Sequence, residues 1–155
     1  MKKTICLLFL ILMLTGFGAY SQKYKTVEDT ARLNREYVKV TNDIAELNAK
    51  LAIAQNNLPG YKSKAIEAGT DADNAANKSV DQAYKVTNGD VGDARKAKRK
   101  ARKAYREAKD SRSASNNVSS QESKITKLTL QINRKEQRLK ELEVMRLAIA
   151  AKFTL

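Results

Sequence analysis

The residues with the most evident chemical potential lie in RKAKRKARKAYR, residues 95–106, where Lys or Arg fills eight of twelve positions and no acid intervenes. Arg95, Lys96, Lys98, Arg99, Lys100, Arg102, Lys103 and Arg106 offer positive charge and hydrogen-bond donors only. Such a set holds anions and does not shuttle protons near neutral pH. The chain has no His and a single Cys, Cys6. It therefore lacks the side chains most used for zinc sites and for acid-base catalysis at neutral pH. GTDADNAAN, residues 69–77, starts like a calcium loop at Asp71 and Asp73, but Ala75 stands where the third ligand belongs. No phosphate-binding glycine loop and no nucleophile elbow is present. A non-enzymatic protein without metal or cofactor is expected.

The compartment narrows which anion the cluster could meet. MKKTICLLFLILMLTGFGAYSQ has Lys2 and Lys3, an apolar run from Ile5 to Leu14 and then small residues, the order of a secretory signal peptide. Ala19 and Ser21 place the cut before Gln22, so residues 1–21 are expected to be removed and 22–155 to form one helical coiled-coil domain. The apolar run is shorter than the roughly 20 residues of a membrane span. Loss of Lys2 and Lys3 from 30 basic residues leaves 28 against 17 acids, a mature charge of +11. Residues 93–109 carry nine bases and two acids, or +7 of that total. The remainder of the chain is close to balanced.

The elements that must carry this cluster are helical. One Pro, six Gly and no Trp, with abundant Ala, Lys and Glu and no β-branched alternation, predict an all-α chain. Leu33, Tyr37, Val40, Ile44, Leu47, Leu51, Ala54 and Leu58 step by four and three residues, the spacing of a coiled-coil seam. Val118, Ile125, Leu128, Ile132, Leu139, Leu142, Ile149 and Phe153 form a second seam, with Gln121, Lys135 and Arg146 as polar lapses that set register or snorkel. Between them, Ala65, Gly69, Ala72, Ala76, Ser79, Ala83 and Val86 mirror Ala94, Ala97, Ala101, Ala104, Ala108, Ser111 and Ser115 about Asp90. Turn signals in TNGDVGD, residues 87–93, mark that centre.

The expected fold is an elongated antiparallel coiled-coil helical hairpin centred near Asp90, with breaks near Pro59-Gly60 and at residues 113–120. Ser119 and Glu122 would cap the last segment, and the outer seams would be out of step with the inner ones by about one helical turn. The alternative is an up-down-up-down four-helix bundle folded back at those breaks. On either fold the basic run sits at a helix N-terminus, where the macrodipole disfavours cations. Asp81 near Arg99 and Asp71 near Lys109 would offset little of the charge, so most of it should face solvent or a partner.

The expected function is that of an exported helical interaction or structural protein of the cell envelope or extracellular space. Its basic helix, residues 93–109, would bind an anionic envelope component, such as lipid headgroups, lipopolysaccharide or cell-wall polymer, or a partner protein helix. A membrane-lying amphipathic helix fits less well, because Ala and not Trp, Phe or Leu lies opposite the basic face. A periplasmic holdase is the alternative. Extracellular nucleic acid ranks third, since no recognition module accompanies the charge and Tyr105 alone is no stacking platform. Leu130, Val144, Leu147 and Ala151 lie off the seam and could cover another subunit in a homo-oligomer.

Overall fold

The computed structural model describes residue 24, residues 26–88 and residues 90–152. The expected signal peptide, its cut before Gln22 and the seam residue Phe153 lie outside them. Two long helices, α1 (Thr30–Tyr84, 55 residues) and α2 (Val91–Ala151, 61 residues), pack antiparallel as a helical hairpin. No strand occurs among the described residues. The 3-10 turn Lys85–Asn88 ends α1, and Asp90 starts α2. The Asp90 carboxylate accepts the Gly92 N–H at 2.7 Å and its carbonyl accepts the Ala94 N–H at 3.0 Å, which satisfies N–H groups that a helix start leaves free. Before α1, the Thr26 N–H and Oγ1 both donate to Asp29 Oδ2 across the 3-10 turn Val27–Asp29.

The hairpin expectation holds, and the folded-back four-helix alternative does not, because neither predicted break interrupts a helix. α1 runs through Pro59 and α2 through residues 113–120. Proline removes the donor to the Gln55 carbonyl and crowds it. One residue earlier, the Ala54 carbonyl accepts Gln121 Nε2 from α2 at 2.7 Å, and the Ala54 side chain is fully buried. The facing helix thus anchors α1 within a turn of its weakest point. At the other predicted break Ala114 and Val118 are half-buried, and burial of one face outweighs the modest helix propensity of the serines and asparagines. Ser119 and Glu122 are consequently mid-helix and no capping box. Glu122 instead pairs with Lys62 of α1 at 3.1 Å.

The chain divides into two compact units, one joining the chain up to Thr41 with Gln137 onward, the other spanning Asn42–Glu136. The first buries Tyr24, Leu33, Val40, Leu142, Met145 and Ile149; the second buries Ala54, Ala75, Leu128 and Ile132. Every described member of the two large-residue seams is buried or half-buried except Arg146.

Alternate members of the small-residue seam lie one position from their expected places, while Ala65, Gly69, Ala72 and Ser79 of α1, Val86 just after it, and Ala97, Ala104 and Ser111 of α2 are half-buried as expected. Ala75 is buried and Gln82 half-buried, whereas Ala76 and Ala83 are exposed. On α2, Glu107 and Ala114 are half-buried with Ala97, Ala104 and Ser111, whereas Ala94, Ala101, Ala108 and Ser115 are exposed. Side-chain size could not choose between neighbours such as Ala75 and Ala76, both of them small. Helix continuity does choose: the three-and-four alternation set by Leu51, Ala54 and Leu58 carries through Pro59 to Ala65, Ala72, Ala75 and Ser79 without a change of phase. One phase along each helix leaves no place for the expected offset of a turn.

Because Pro59 and Gly60 are exposed in a helix interior, and a Cβ at Gly60 would meet nothing within 4 Å, both positions carry a removable cost. Pro59→Ala should raise unfolding stability by about 3 kcal/mol and Gly60→Ala by about 0.5–1 kcal/mol. Urea unfolding followed by circular dichroism checks this; a loss of stability in both would mean that the helix is broken there.

Candidate anion-binding site

All eight cations of residues 95–106 are exposed on the first turns of α2. They are not equivalent. Arg95, Arg99, Arg102 and Arg106 follow one another by four, three and four residues, so all four guanidinium groups lie on one stripe of the helix. Lys96, Lys100 and Lys103 form a parallel stripe nearer α1, where Lys100 and Lys103 line a cavity of about 200 Å³ with Asp71, Lys78 and Glu107. Lys98 borders the arginine stripe on the side away from these lysines, three residues from Arg95 and four from Arg102. Among the described residues only Lys96 of the eight has an ion-pair partner, Asp93 at 3.1 Å.

The expected compensation by the facing helix is corrected accordingly. Asp71 sits beside Lys100 and Lys103 and not Lys109, and neither the Asp81–Arg99 nor the Asp71–Lys109 ion pair forms among the described residues. The move of alternate seam members by one position, while Ala97, Ala104 and Ser111 stay inward, brings Lys100 toward α1 and leaves the arginine stripe outward. Arginine forks suit planar or multi-oxygen anions, since two parallel N–H donors can meet one carboxylate or phosphate. Four such forks stepping along about three helical turns present an extended anion-binding edge and no enclosed pocket. Tyr105, at 73% exposure, is the one aromatic ring among them.

A second polar cluster, invisible in sequence, lies in the unit joining the chain up to Thr41 with Gln137 onward. Arg138 donates from Nε and Nη2 to Glu36 Oε1 at 3.0 and 2.7 Å, and from Nη1 to Glu141 Oε2 at 2.8 Å. Tyr24 donates its hydroxyl to the other oxygen of Glu36. Hydrogen bonding to Glu141, and then to Glu36, raises the Arg138 pKa above its ordinary value against the opposing effect of burial. Beside it the Tyr37 hydroxyl donates to Glu143 at 3.1 Å, and Arg146 lies over the Tyr37 ring at 4.7 Å. In the other unit Lys135 pairs with Asp43 at 2.7 Å. The three polar lapses in the α2 seam thus each meet α1, Gln121 at the Ala54 carbonyl, Lys135 at Asp43 and Arg146 at Tyr37. Arg138 gave no signal because its acid lies 102 positions earlier and neither residue belongs to the seam.

Comparison with known proteins finds no matching family model, no matching curated protein and no matching solved structure. Among the described residues no helix is long and apolar enough to cross a membrane.

The Arg138 cluster is structural, and its loss should be felt in stability. Arg138→Gln should cost about 1–2 kcal/mol, a charged hydrogen bond discounted for its partial exposure, and Arg138→Lys should recover only part because two forks become one point charge. The raised pKa contributes stability that is fully present below the unfolded arginine's pKa and is lost only as strongly alkaline solution deprotonates the folded group. Denaturation midpoints of the two variants against the parent should therefore differ by the same amount from neutrality to about pH 10.

Proposed function

We propose that this is an exported, non-enzymatic helical interaction protein of the cell envelope or extracellular space, which holds a phosphate- or carboxylate-bearing surface through the arginine stripe of residues 95–106. The observation that carries the reading is the stripe itself: Arg95, Arg99, Arg102 and Arg106 are all exposed, lie on one line and have no acid partner among the described residues. The cluster also stands at the helix end where the macrodipole opposes it, so it costs the fold something and gains nothing locally. A ligand would supply the missing counter-charge. The signal-like first 21 residues support a site of action outside the cytoplasm, where envelope phosphates outnumber nucleic acid.

A periplasmic holdase is the second reading, favoured by exposed apolar side chains such as Ile53 and Ile66, 61% and 72% accessible. It predicts broad suppression of client aggregation and no saturable binding to one surface. Extracellular nucleic acid is the third and would add dependence on strand length and salt.

The deciding experiment mixes the chain from Gln22 onward with vesicles of phosphatidylglycerol and of phosphatidylcholine, with purified lipopolysaccharide and with cell-wall polymer, at low and high salt. Salt-reversible binding to anionic material only is expected. Replacing all four stripe arginines by Gln should weaken it at least about tenfold, given roughly 1 kcal/mol per basic residue near an anionic surface. Equal binding by the four-Gln variant would overturn the arginine assignment, and no binding to any anionic surface would overturn the proposal.

A further inference from the structure

The flank of the hairpin away from Lys100 and Lys103 is a different kind of surface. Within the unit Asn42–Glu136 a groove of about 430 Å³ is lined by Lys62 and Ile66 from α1 and by Ser115 and Ser119 from α2, so these four mark one side of the helix pair. Residues seven apart share a helix face when the seam keeps its phase. Stepping by seven from Lys62 reaches Gly69, Ala76 and Ala83, and stepping back from Ser115 reaches Ala108, Ala101 and Ala94. Apart from Gly69, which is half-buried, these are exposed small residues, the ones displaced from the expected seam. They make a smooth floor over both helices.

Larger side chains border that floor. The row through Ile66 continues to Asp73 and Val80, and the row through Ser119 runs back through Arg112, Tyr105, Lys98 and Val91. Ile66, Val80, Val91 and Tyr105 are 72%, 51%, 65% and 73% accessible. Four large apolar side chains at such exposure, alternating with Asp73 and Lys98 around a floor of alanine, offer apolar surface that a partner would bury.

We infer that this flank binds a second copy of the chain, turned over about the long axis of the hairpin so that α1 of each copy lies on α2 of the other. Charge complementarity selects this occupant. The α1 border carries the acid Asp73 and the α2 border carries the bases Lys98 and Arg112, so the face complements itself only when α1 meets α2. An α2-on-α2 arrangement would oppose two basic helices. The register agrees. A Cβ at Gly69 would lie 3.9 Å from Ser111 Oγ, which sets residues 69 and 111 level and so places Asp73 level with residue 107. Over the second copy, Asp73 then falls between Lys98 and Arg112. On the same register Val80 meets the Ala101 region and Tyr105 the Ala76 region, so large side chains of one copy fill the space above small ones of the other. Arg99 and Arg106 lie away from the Lys98 row and stay free in the pair, whereas Arg95 and Arg102 adjoin its border.

Sedimentation velocity over a concentration series of the chain from Gln22 onward tests this, with circular dichroism to show that each variant keeps its helices. A concentration-dependent monomer–dimer equilibrium is expected. Ala101→Glu should weaken it about tenfold or more without loss of helicity, since Ala101 is exposed in the monomer. Asp73→Arg should weaken the dimer, and adding Arg112→Asp to it should restore association. Arg99→Gln with Arg106→Gln, the two stripe arginines that do not adjoin the Lys98 row, should dimerise as the parent does, which separates this result from failure of the surface-binding proposal. A monomer at every concentration, a dimer indifferent to Ala101→Glu, or loss of vesicle binding by that variant with no change in mass would each overturn the inference.

Discussion

Each helix depends on carrying one uninterrupted alternation of three and four residues toward its neighbour. Where the alternation uses Leu, Ile and Val, burial of apolar surface binds the helices at about 25 cal/mol per Å². Where it uses Ala and Ser, less surface is removed from water, and close approach of the backbones with van der Waals contact must serve instead. The fully buried Leu33 and Leu142 belong to the first regime, and Ala75 and Ala104 to the second. Both regimes share one phase, which is why Pro59 can sit in the helix. Breaking α1 there would turn one side's seam away from its partner, a larger loss than one missing backbone bond.

Polar side chains then refine what apolar burial leaves loosely specified. A seam of repeated Leu and Ile can slip by a heptad with little change in burial, whereas Lys135 with Asp43 and Gln121 with the Ala54 carbonyl cannot. Arg138 does more, since its three donating nitrogens hold one carboxylate on the facing helix and one on its own. These contacts are partly solvated, so they add modest stability and considerable register specificity.

The phase of the seam also distributes chemistry around the hairpin. Placing Ala75 and not Ala76 inward, and Ala97 with Ala104 and not Ala94 with Ala101, turns one alanine row out to solvent on one flank. On the other it draws Lys100 and Lys103 toward Asp71 and Glu107 and leaves four arginines facing outward. Among the described residues the arginine edge has no acid partner, while the apolar flank carries charges of both signs.

The helical class, the turn at Asp90, the two large-residue seams and the basic cluster could be read from the letters, because each rests on local composition or on spacing within one segment. The polar lapses at Gln121, Lys135 and Arg146 could be read too, although not their partners. Helix continuity could not. Pro59-Gly60 and SASNNVSS are genuine local stop signals, and only contact with the facing helix overrides them. The inward member of each adjacent pair of small residues was likewise undetermined, since Ala75 and Ala76 are the same residue until a continuous helix assigns their phase. The Arg138 cluster and the arrangement of the cations into an outward arginine stripe and a lysine stripe nearer α1 follow from that same assignment. Sequence by itself determined which segments are helical and where charge concentrates, because those depend on neighbours along the chain. Tertiary structure alone decided where the helices do not break and which way each side chain faces, because those depend on residues more than 100 positions apart, such as Tyr37 and Glu143 at 106, meeting across the hairpin.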